Sequence, residues 1–507
     1  VTGEALRRSL RYTVLAWIPG AFWQGATGNT ALTPLGKYLG ANDLTFALLI
    51  VGAPLLSALL QIPGSVIVER LGRRKGFFIW TVTPHRALYI VIGLLPWFLP
   101  GSLGTAILMT ALVFLSMGLN NFGGQAWVNW MADLVPPKIR GKFFSFRSRM
   151  GIGVVAIATV FVATILDFTQ RDWVQGLLEP LTAWAGMPPL ILLLSVVFIV
   201  AGAIGMIDIL LFAKVDEPAM AKKPREPLAV KLSRPLQDRQ FRRFVVYWSV
   251  WQCANSWCTW FWMPYFLDFL TNEKSRAAAA SVPLWWGDYL FMTAAIVLPV
   301  GFQIGQFLGY PMWGRAVDRF GRKPVFFVSS TIHTLSWVMW IFLSPATMPW
   351  MLPIQIVAGI IGGGCDIAVF NMMLHFNRKG GPGYQAVGTV VFSIAGAIAA
   401  ICAGSLATAL SSFQVTVGAG TAWEHTFNRY AVLIIVGIVI KYTADLVFLR
   451  RVQDVDAKPA GHALRFVLNN LHGTLNSLIF VPVRSGVEVT GRGVRATIEG
   501  MGRRMGR

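Results

Sequence analysis

Charge is what this sequence has least of. Only 13% of its 507 residues are Asp, Glu, Lys or Arg, about half the share that a water-soluble domain carries. A surface so poor in charge is not wetted all round, which excludes an ordinary soluble globule. Cysteine is also scarce. Cys253, Cys258, Cys365 and Cys402 are the full set, none belongs to a Cys-x-x-Cys pair, and all fall in apolar segments. A disulfide framework and a thiolate zinc site are therefore not expected, and the four read as small packing residues. Enzyme signatures are missing too: there is no phosphate-cradling Gly-x-x-x-x-Gly-Lys, no His-Glu-x-x-His and no ATPase domain. No convergent catalytic set is visible, so the chain is not read as an enzyme, and no metal or cofactor is expected.

What is abundant is apolar sequence, 55% of the chain, and it comes in runs. Residues 190–211 and 430–449 approach the roughly 20 apolar residues that a membrane-crossing helix needs. Lipid offers the backbone no partners, so such runs are helices or strands of a closed barrel. The two-residue alternation of barrel strands is missing, so the expected class is all-α, a polytopic membrane protein. Spans are placed at 12–33, 44–68, 76–99, 103–132, 145–168 and 188–213, then at 241–270, 285–313, 324–344, 347–374, 385–411 and 427–449.

The formal charge of +21 would suggest nucleic acid on a soluble protein, but its placement here is topological. With the N-terminus inside, the odd-numbered connections hold only Lys37, Arg171, Lys274, Arg276 and Arg429 of the 44 basic residues. The even-numbered ones hold Arg70 to Lys75, Lys138 to Arg149, the 214–243 stretch and Arg315 to Lys323. Basic loops stay on the cytoplasmic side, so both termini are expected in the cytoplasm, with Arg7, Arg8 and Arg11 ahead of an uncleaved first span. No nucleic-acid partner is expected. The reading gives a six-helix bundle over 1–213, a cytoplasmic linker over 214–240, a second bundle over 241–450 and a basic tail over 451–507. Pro218, Pro224, Pro227 and Pro235 among mixed charges predict an extended linker. In the tail, Leu464, Leu468, Leu471, Leu475 and Leu478 recur at helical spacing over 463–480. This predicts an amphipathic helix at the cytoplasmic interface, drawn to anionic lipid; a docking segment for a membrane-protein partner is the alternative.

The halves repeat a pattern. Ser65-Val-Ile-Val-Glu69-Arg70-Leu-Gly72-Arg73-Arg74 follows span 2, and Gly314-Arg-Ala-Val-Asp318-Arg319-Phe-Gly321-Arg322-Lys323 follows span 8. Gly123-Gly124 in span 4 is echoed by Gly363-Gly364 in span 10, and His85 by His333. This repeat resembles the major facilitator superfamily, whose motif A runs Gly-x-Leu-x-Asp-Arg-x-Gly-Arg-Arg/Lys between spans 2 and 3, with a weaker copy between spans 8 and 9. The second copy here matches better, through Gly314, Asp318, Arg319, Gly321, Arg322 and Lys323. The first has Ser65 in place of Gly and Glu69 in place of Asp. The segment Asp133-Leu-Val-Pro-Pro-Lys-Ile-Arg-Gly141 also looks like the family, and the resemblance covers about 450 residues. It implies twelve helices in two pseudo-symmetric bundles, a bacterial inner-membrane location, and secondary or facilitative transport of a small solute by alternating access. A carboxylate at a helix end that pairs with arginines on a neighbouring helix, with a glycine that permits a tight reversal, is expected to latch the halves in one conformation. A transporter-like assembly subunit of a larger membrane complex is the alternative function.

Carriers of this architecture hold their solute near the bilayer midplane, and polar groups inside spans face cavities rather than lipid. On that ground the candidate solute or coupling residues are as follows. Span 1 offers Gln24 and Asn29. Span 3 offers His85 and Arg86, the latter either an anion contact or one half of a structural pair. Span 4 offers Asn120, Asn121 and Gln125. Span 7 offers Gln252 and Asn255, and span 8 offers Gln303, with Gln306 as further polar lining. Span 10 offers Asp366, either a proton site or a satisfied helix–helix bond, and Asn371. Tryptophans of spans 1 and 7 (Trp17, Trp23, Trp251, Trp257, Trp260) form aromatic faces that suit either a stacked ring or a packing layer. Lys441 and Asp445, four apart in span 12, are expected to pair. Gly396, Ala400 and Gly404 make a small-residue ridge for close helix packing.

Overall fold

Apolar runs of this length can satisfy their own backbone in lipid as helices, and the computed structural model of the chain is predominantly helical over the described residues of its spans. It describes residues 3–49, 56, 60, 63–64, 67–68, 70–219, 228–271, 289–344, 347–380, 383–418, 421, 425–454 and 457–470. Among them, nine helices are long and apolar enough to cross a membrane. They are Lys75–Phe98, Leu103–Met131, Met150–Phe168, Pro189–Lys214, Leu290–Phe320, Arg322–Ile341, Met348–Met373, Val387–Ala409 and Arg429–Arg451. These are spans 3 to 6 and 8 to 12. Gly3–Ala26 and Arg239–Thr259 stand where spans 1 and 7 were expected; arginines at their first turns and amides within them lower their apolarity. Span 2 begins with Asp43–Ala47, capped by Asn42 accepting from Thr45 N, and most of its remainder lies outside the described residues.

The packing repeats as the sequence does. Span 1 packs on spans 5 and 6, and span 3 on spans 4 and 6. Span 7 packs on spans 11 and 12, and span 9 on spans 10 and 12, the same pairings six spans later. The halves meet through a matching pair of contacts, the start of span 2 on span 11 and the end of span 5 on the start of span 8. Both lie at the face away from the termini, here called the far face.

Three connecting segments depart from the sequence reading, and the tail follows it in part. The connection after span 5 contains a helix, Asp172–Ala185, with Trp173, Leu177, Leu181 and Trp184 exposed along it, a composition that lies well in a membrane interface. The connection after span 11 is an antiparallel hairpin, Gln414–Val417 on His425–Asn428, too short to leave a readable alternation. The linker is not wholly extended. Leu228–Gln237 is helical and packs on span 11, because Pro235 falls near its end and the bonds ahead of it survive. In the tail, a helix occupies 460–470. Ala463 and Val467 are buried and the Phe466 ring lies 5.4 Å from that of Phe320, while Leu464 and Leu468 face outward. The later leucines of the expected amphipathic helix, Leu471, Leu475 and Leu478, lie outside the described residues.

Candidate functional site

Where the halves meet, a cavity of about 540 Å³ is lined by residues of spans 1, 5, 7, 8, 9 and 10. Three of those helices are interrupted there. Span 1 stops at Ala26 and restarts at Asn29; Gln24, Gly28, Asn29 and Thr30 line the cavity at the break. Span 7 stops at Thr259 and restarts at Trp262, and both residues line the cavity, with Asn255 one turn earlier. Spans 1 and 7 hold equivalent places in the two halves. Span 8 carries a π turn at Ile296–Val300, whose Leu298 and Pro299 reach the cavity. Irregular backbone inside a membrane is tolerated where it lines such a space.

The lining combines amides with aromatic and aliphatic side chains. Gln24, Asn29, Asn255, Gln303, Gln306 and Gln355 supply amides, Trp262, Trp337 and Trp340 supply aromatic faces, and His333 completes the wall. No Asp, Glu, Lys or Arg is in this set. Four of the sequence candidates, Gln24, Asn29, Asn255 and Gln303, therefore come together. The expected tryptophans do not. Trp23 lies under Arg86, Trp17 under Arg147, Trp251 beside Lys441, and Trp260 is fully buried, while the Trp257 indole donates to Leu433 O. The cavity uses Trp262 of span 7 and Trp337 and Trp340 of span 9 instead.

The remaining candidates are placed elsewhere. His85 is buried, with Nδ1 2.6 Å from Ser116 Oγ. Arg86 donates to Asp208 Oδ2 at 2.9 Å and stacks 3.6 Å over Trp23, so of its two readings the structure shows the paired one. Asn121 and Asn371 each bond a carbonyl of their own helix, Met117 O and Ile367 O. Asn120 and Gln252 are half-buried and outside the cavity lining. The side chain of Gln125 lies outside the described residues. Asp366 sits beside the cavity wall and accepts from Gln306 Nε2 at 2.7 Å and from Tyr310 OH at 3.3 Å. Lys441 and Asp445 do not pair with each other. A π turn over Ala444–Phe448 changes the rotation per residue, and Asp445 accepts from Tyr247 OH at 3.3 Å while Lys441 Nζ lies 3.0 Å from His333 Nδ1.

At the face bearing the termini, each motif A copy builds a clasp. In the second half, Asp454 accepts from the backbone N–H groups of Arg322 and Lys323 at 2.7 and 2.9 Å and from the Arg322 guanidinium at 2.7 Å. Lys323 Nζ reaches Val452 O at 2.8 Å. In the first half, Glu217 accepts from Arg74 N at 2.6 Å, Arg74 Nη1 reaches Asp133 at 2.6 Å, and Lys75 Nζ reaches Val215 O at 3.0 Å. The acid after the last span of each half thus caps the third helix, where the dipole favours negative charge. Both copies turn on a glycine with positive φ, Gly72 at 63° and Gly321 at 89°. The first copy uses one residue more after its glycine. Arg74, 1% exposed, does the work of Arg322, whereas Arg73 and Arg70 are exposed. Nearby, Asp216 ties span 1 to this layer, with the Ser9 hydroxyl first and Arg8 second holding its carboxyl below the usual range.

These contacts run within a half, whereas the motif was expected to latch one half to the other. Asp318 and Arg319 are exposed; Asp318 has no hydrogen bond among the described residues, and Arg319 packs over Phe320 and Phe466. Gly314 is in mid-helix with open space around it, and Glu69 lies outside the described residues. Asp454→Ala is expected to lower stability by about 3 kcal/mol, since charge-assisted hydrogen bonds contribute about 1.5–3 kcal/mol each. Asp318→Ala should leave stability unchanged. Thermal unfolding of the two purified variants in detergent makes the comparison, and equal midpoints would remove the clasp as a brace.

Among the described residues, the hydrogen bonds and ion pairs that join the halves are at the far face. Asp167, at the end of span 5, accepts from the N–H groups of Phe291 and Met292, both at 2.8 Å, and so caps span 8. Lys37 of span 1 pairs with Asp268 of span 7. Asp268 also accepts from Tyr430 OH at 3.1 Å, and Arg429 reaches Asp43 at 3.3 Å. Gly404 closes this layer: a Cβ there would meet Ala47 Cβ at 2.8 Å, so the small-residue ridge of span 11 lets span 2 approach. Asp167, Asp208 and Asp268 escaped the sequence reading, and His333 entered it only as the echo of His85. The first two carried a usable signal, since a lone acid inside an apolar run is costly unless it is partnered.

Two halves of matching helix packing around a cavity lined by amides and tryptophans, joined at one face and clasped at the other, define a carrier of the alternating-access kind. By sequence the chain matches the Major Facilitator Superfamily over residues 20–298 and 279–481, and it belongs to that family. No curated protein matches the chain by sequence. Among solved structures it is similar in fold to a point mutant of the nucleoside transporter NupG, with a TM-score of 0.60 and 11% identity over 88% of this chain and 100% of that one. It is also similar to a bacterial homolog of the human lysosomal transporter Spinster in an inward-facing, occupied conformation, with a TM-score of 0.55 and 15% identity over 94% and 99%. The xylose transporter XylE from E. coli gives a TM-score of 0.53 and 12% identity over 90% and 100%. The chain is an integral membrane protein and a secondary transporter of a small molecule.

Proposed function

We propose that this transporter carries a small, uncharged, polar solute with a ring, of the nucleoside or sugar class. The observation that carries the reading is the cavity between the interrupted spans 1 and 7, walled by amides and tryptophans, with no charged side chain among the described residues of its lining. Amides match hydroxyls and ring heteroatoms in both donor and acceptor sense, and indole faces stack on rings. A charged solute would find no counter-charge in this lining. The nucleoside transporter and the xylose transporter of similar fold are named for solutes of this class, which supports the reading without deciding between them.

The basic connections lie at the terminal face, so by the positive-inside rule we place both termini in the cytoplasm, in a bacterial inner membrane. The sealed far face is then external, and the conformation is inward-facing. Domain limits follow the sequence, with bundles over 1–213 and 241–450, a linker between them and a basic tail that meets anionic lipid. Asp366, joined to the lining through Gln306, is the group we assign to proton coupling. No catalytic activity is assigned.

The test uses reconstituted protein, with uridine and D-xylose as the first probes of a wider nucleoside and sugar panel. At least one member should raise the thermal midpoint and be taken up. Asn255→Ala or Gln303→Ala should weaken its binding about tenfold, the equivalent of about 1.4 kcal/mol. Asp366→Asn should abolish accumulation driven by a pH gradient and leave counterflow intact. A panel in which only anions or cations bind would overturn the class. Undiminished accumulation in Asp366→Asn would overturn the coupling role.

A further inference from the structure

Among the described residues of the cavity lining His333 is the one with an ionisable ring, and what stands behind it decides how it meets a solute. Lys441 Nζ lies 3.0 Å from His333 Nδ1. Lys441 is 0% exposed and sits 4.1 Å from the Trp337 ring centroid and 4.8 Å from that of Trp251. Among the described residues no carboxylate is within ion-pair reach of it. The titratable groups facing it are Cys258 of span 7, Cys365 and Asp366 of span 10, and Asp445 of its own helix. Of these, Asp445 is turned to Tyr247 OH and Asp366 to Gln306 and Tyr310.

Two indole faces are the electron-rich sides that hold an ammonium in the absence of a carboxylate. An ammonium has three donors and no acceptor, so its contact with the imidazole uses the lone pair of Nδ1. A histidine that accepts at Nδ1 is neutral and carries its proton on Nε2. His333 Nε2 has no protein partner among the described residues, and the ring lines the cavity beside Phe302 and Trp337.

We infer that Lys441 is a positioning residue that fixes His333 in the Nε2–H form, and that His333 thereby donates to an acceptor oxygen or nitrogen on the solute. The solute part of this rests on the proposed class. The buried cation polarises the donor and makes this wall electropositive, so a carbonyl, ring oxygen or ring nitrogen faces it and a cationic group is excluded.

Two measurements test it. In protein carrying ¹⁵N-labelled histidine and reconstituted in liposomes, solid-state NMR separates the two ring nitrogens, and a His333→Gln spectrum identifies the His333 signals by difference. The expected wild-type signature is an unprotonated Nδ1 and a protonated Nε2, replaced in Lys441→Met by a mixture of tautomers. An imidazolium, or a proton on Nδ1, in the wild type overturns the inference whatever the variant does. The second measurement is binding of uridine and of D-xylose. His333→Phe and Lys441→Met should weaken the probe that binds about tenfold, while His333→Gln, which keeps a donor, stays within about threefold. Unchanged affinity in His333→Phe overturns the donor role. If neither probe nor any other nucleoside or sugar binds the wild type, the solute class fails, and the NMR result still decides the tautomer.

Discussion

Arg86→Met is expected to be the most destabilising single change in the first half of this protein, lowering stability by about 3–5 kcal/mol. Arg86 and Asp208 are 6% and 3% exposed and paired at 2.9 Å. Removing one member of a buried pair leaves an uncompensated charge, and losses of that size follow. The neighbourhood leaves little room to relax. Gly20 packs against the carboxylate so closely that a Cβ would lie 2.4 Å from Asp208 Oδ2, and the guanidinium is already held 3.6 Å over Trp23. Replacing both members by apolar residues removes both charges, so Arg86→Met/Asp208→Leu should recover more than half of the loss. Thermal unfolding of the purified single and double variants measures this. A single variant with wild-type stability that has lost transport would instead make the pair part of the transport cycle and sink the structural assignment.

Asp167→Ala is expected to open the far face. Its carboxylate holds two backbone N–H groups of the other half, a pair of charge-assisted bonds that together contribute about 3 kcal/mol. If these bonds exist only while the far face is closed, their loss shifts the two-state balance by about a hundredfold. Spin labels at Asp172→Cys and Val415→Cys, one on each half and both exposed at that face, report the change as a longer distance. An unchanged distribution would mean that Lys37–Asp268 and Arg429–Asp43 suffice to hold the seal. The same substitution in a protein lacking Arg429 would then be the discriminating variant, because the one salt bridge then left between the halves among the described residues is exposed, and exposed pairs contribute at most about 1 kcal/mol.

Two of the places where the sequence reading and the structure part company share one cause. Lys441 and Asp445 sit on one face of a regular helix, and a π turn at Ala444–Phe448 rotates them apart. Arg73 aligns with Arg322 by counting from the glycine, yet Arg74 occupies its place, because the first copy's turn is one residue longer. A shift of one residue turns a helical side chain by about 100°, enough to exchange an exposed arginine for a buried one.

What the sequence determined by itself is considerable: the class, the order of the spans, the duplication, the sidedness of charge and four of the cavity amides. These rest on apolar run length, on where charge is tolerated in lipid, and on polar residues that must face a cavity, and each is a property of a short stretch of chain. The partners were decided only by the tertiary structure. Asp208 for Arg86, Glu217 and Asp454 for the two clasps, Asp167 for the start of span 8, and Lys441 for His333 are separated by roughly 100 residues or more in sequence. Which of them meet depends on the rotation of each helix, on breaks and π turns within it, and on which connecting segment returns beneath it. Scarcity of charge, which marks the chain as a membrane protein, is also why those few pairings matter: in a low-dielectric interior each remaining ion must find its partner, and only the fold says which.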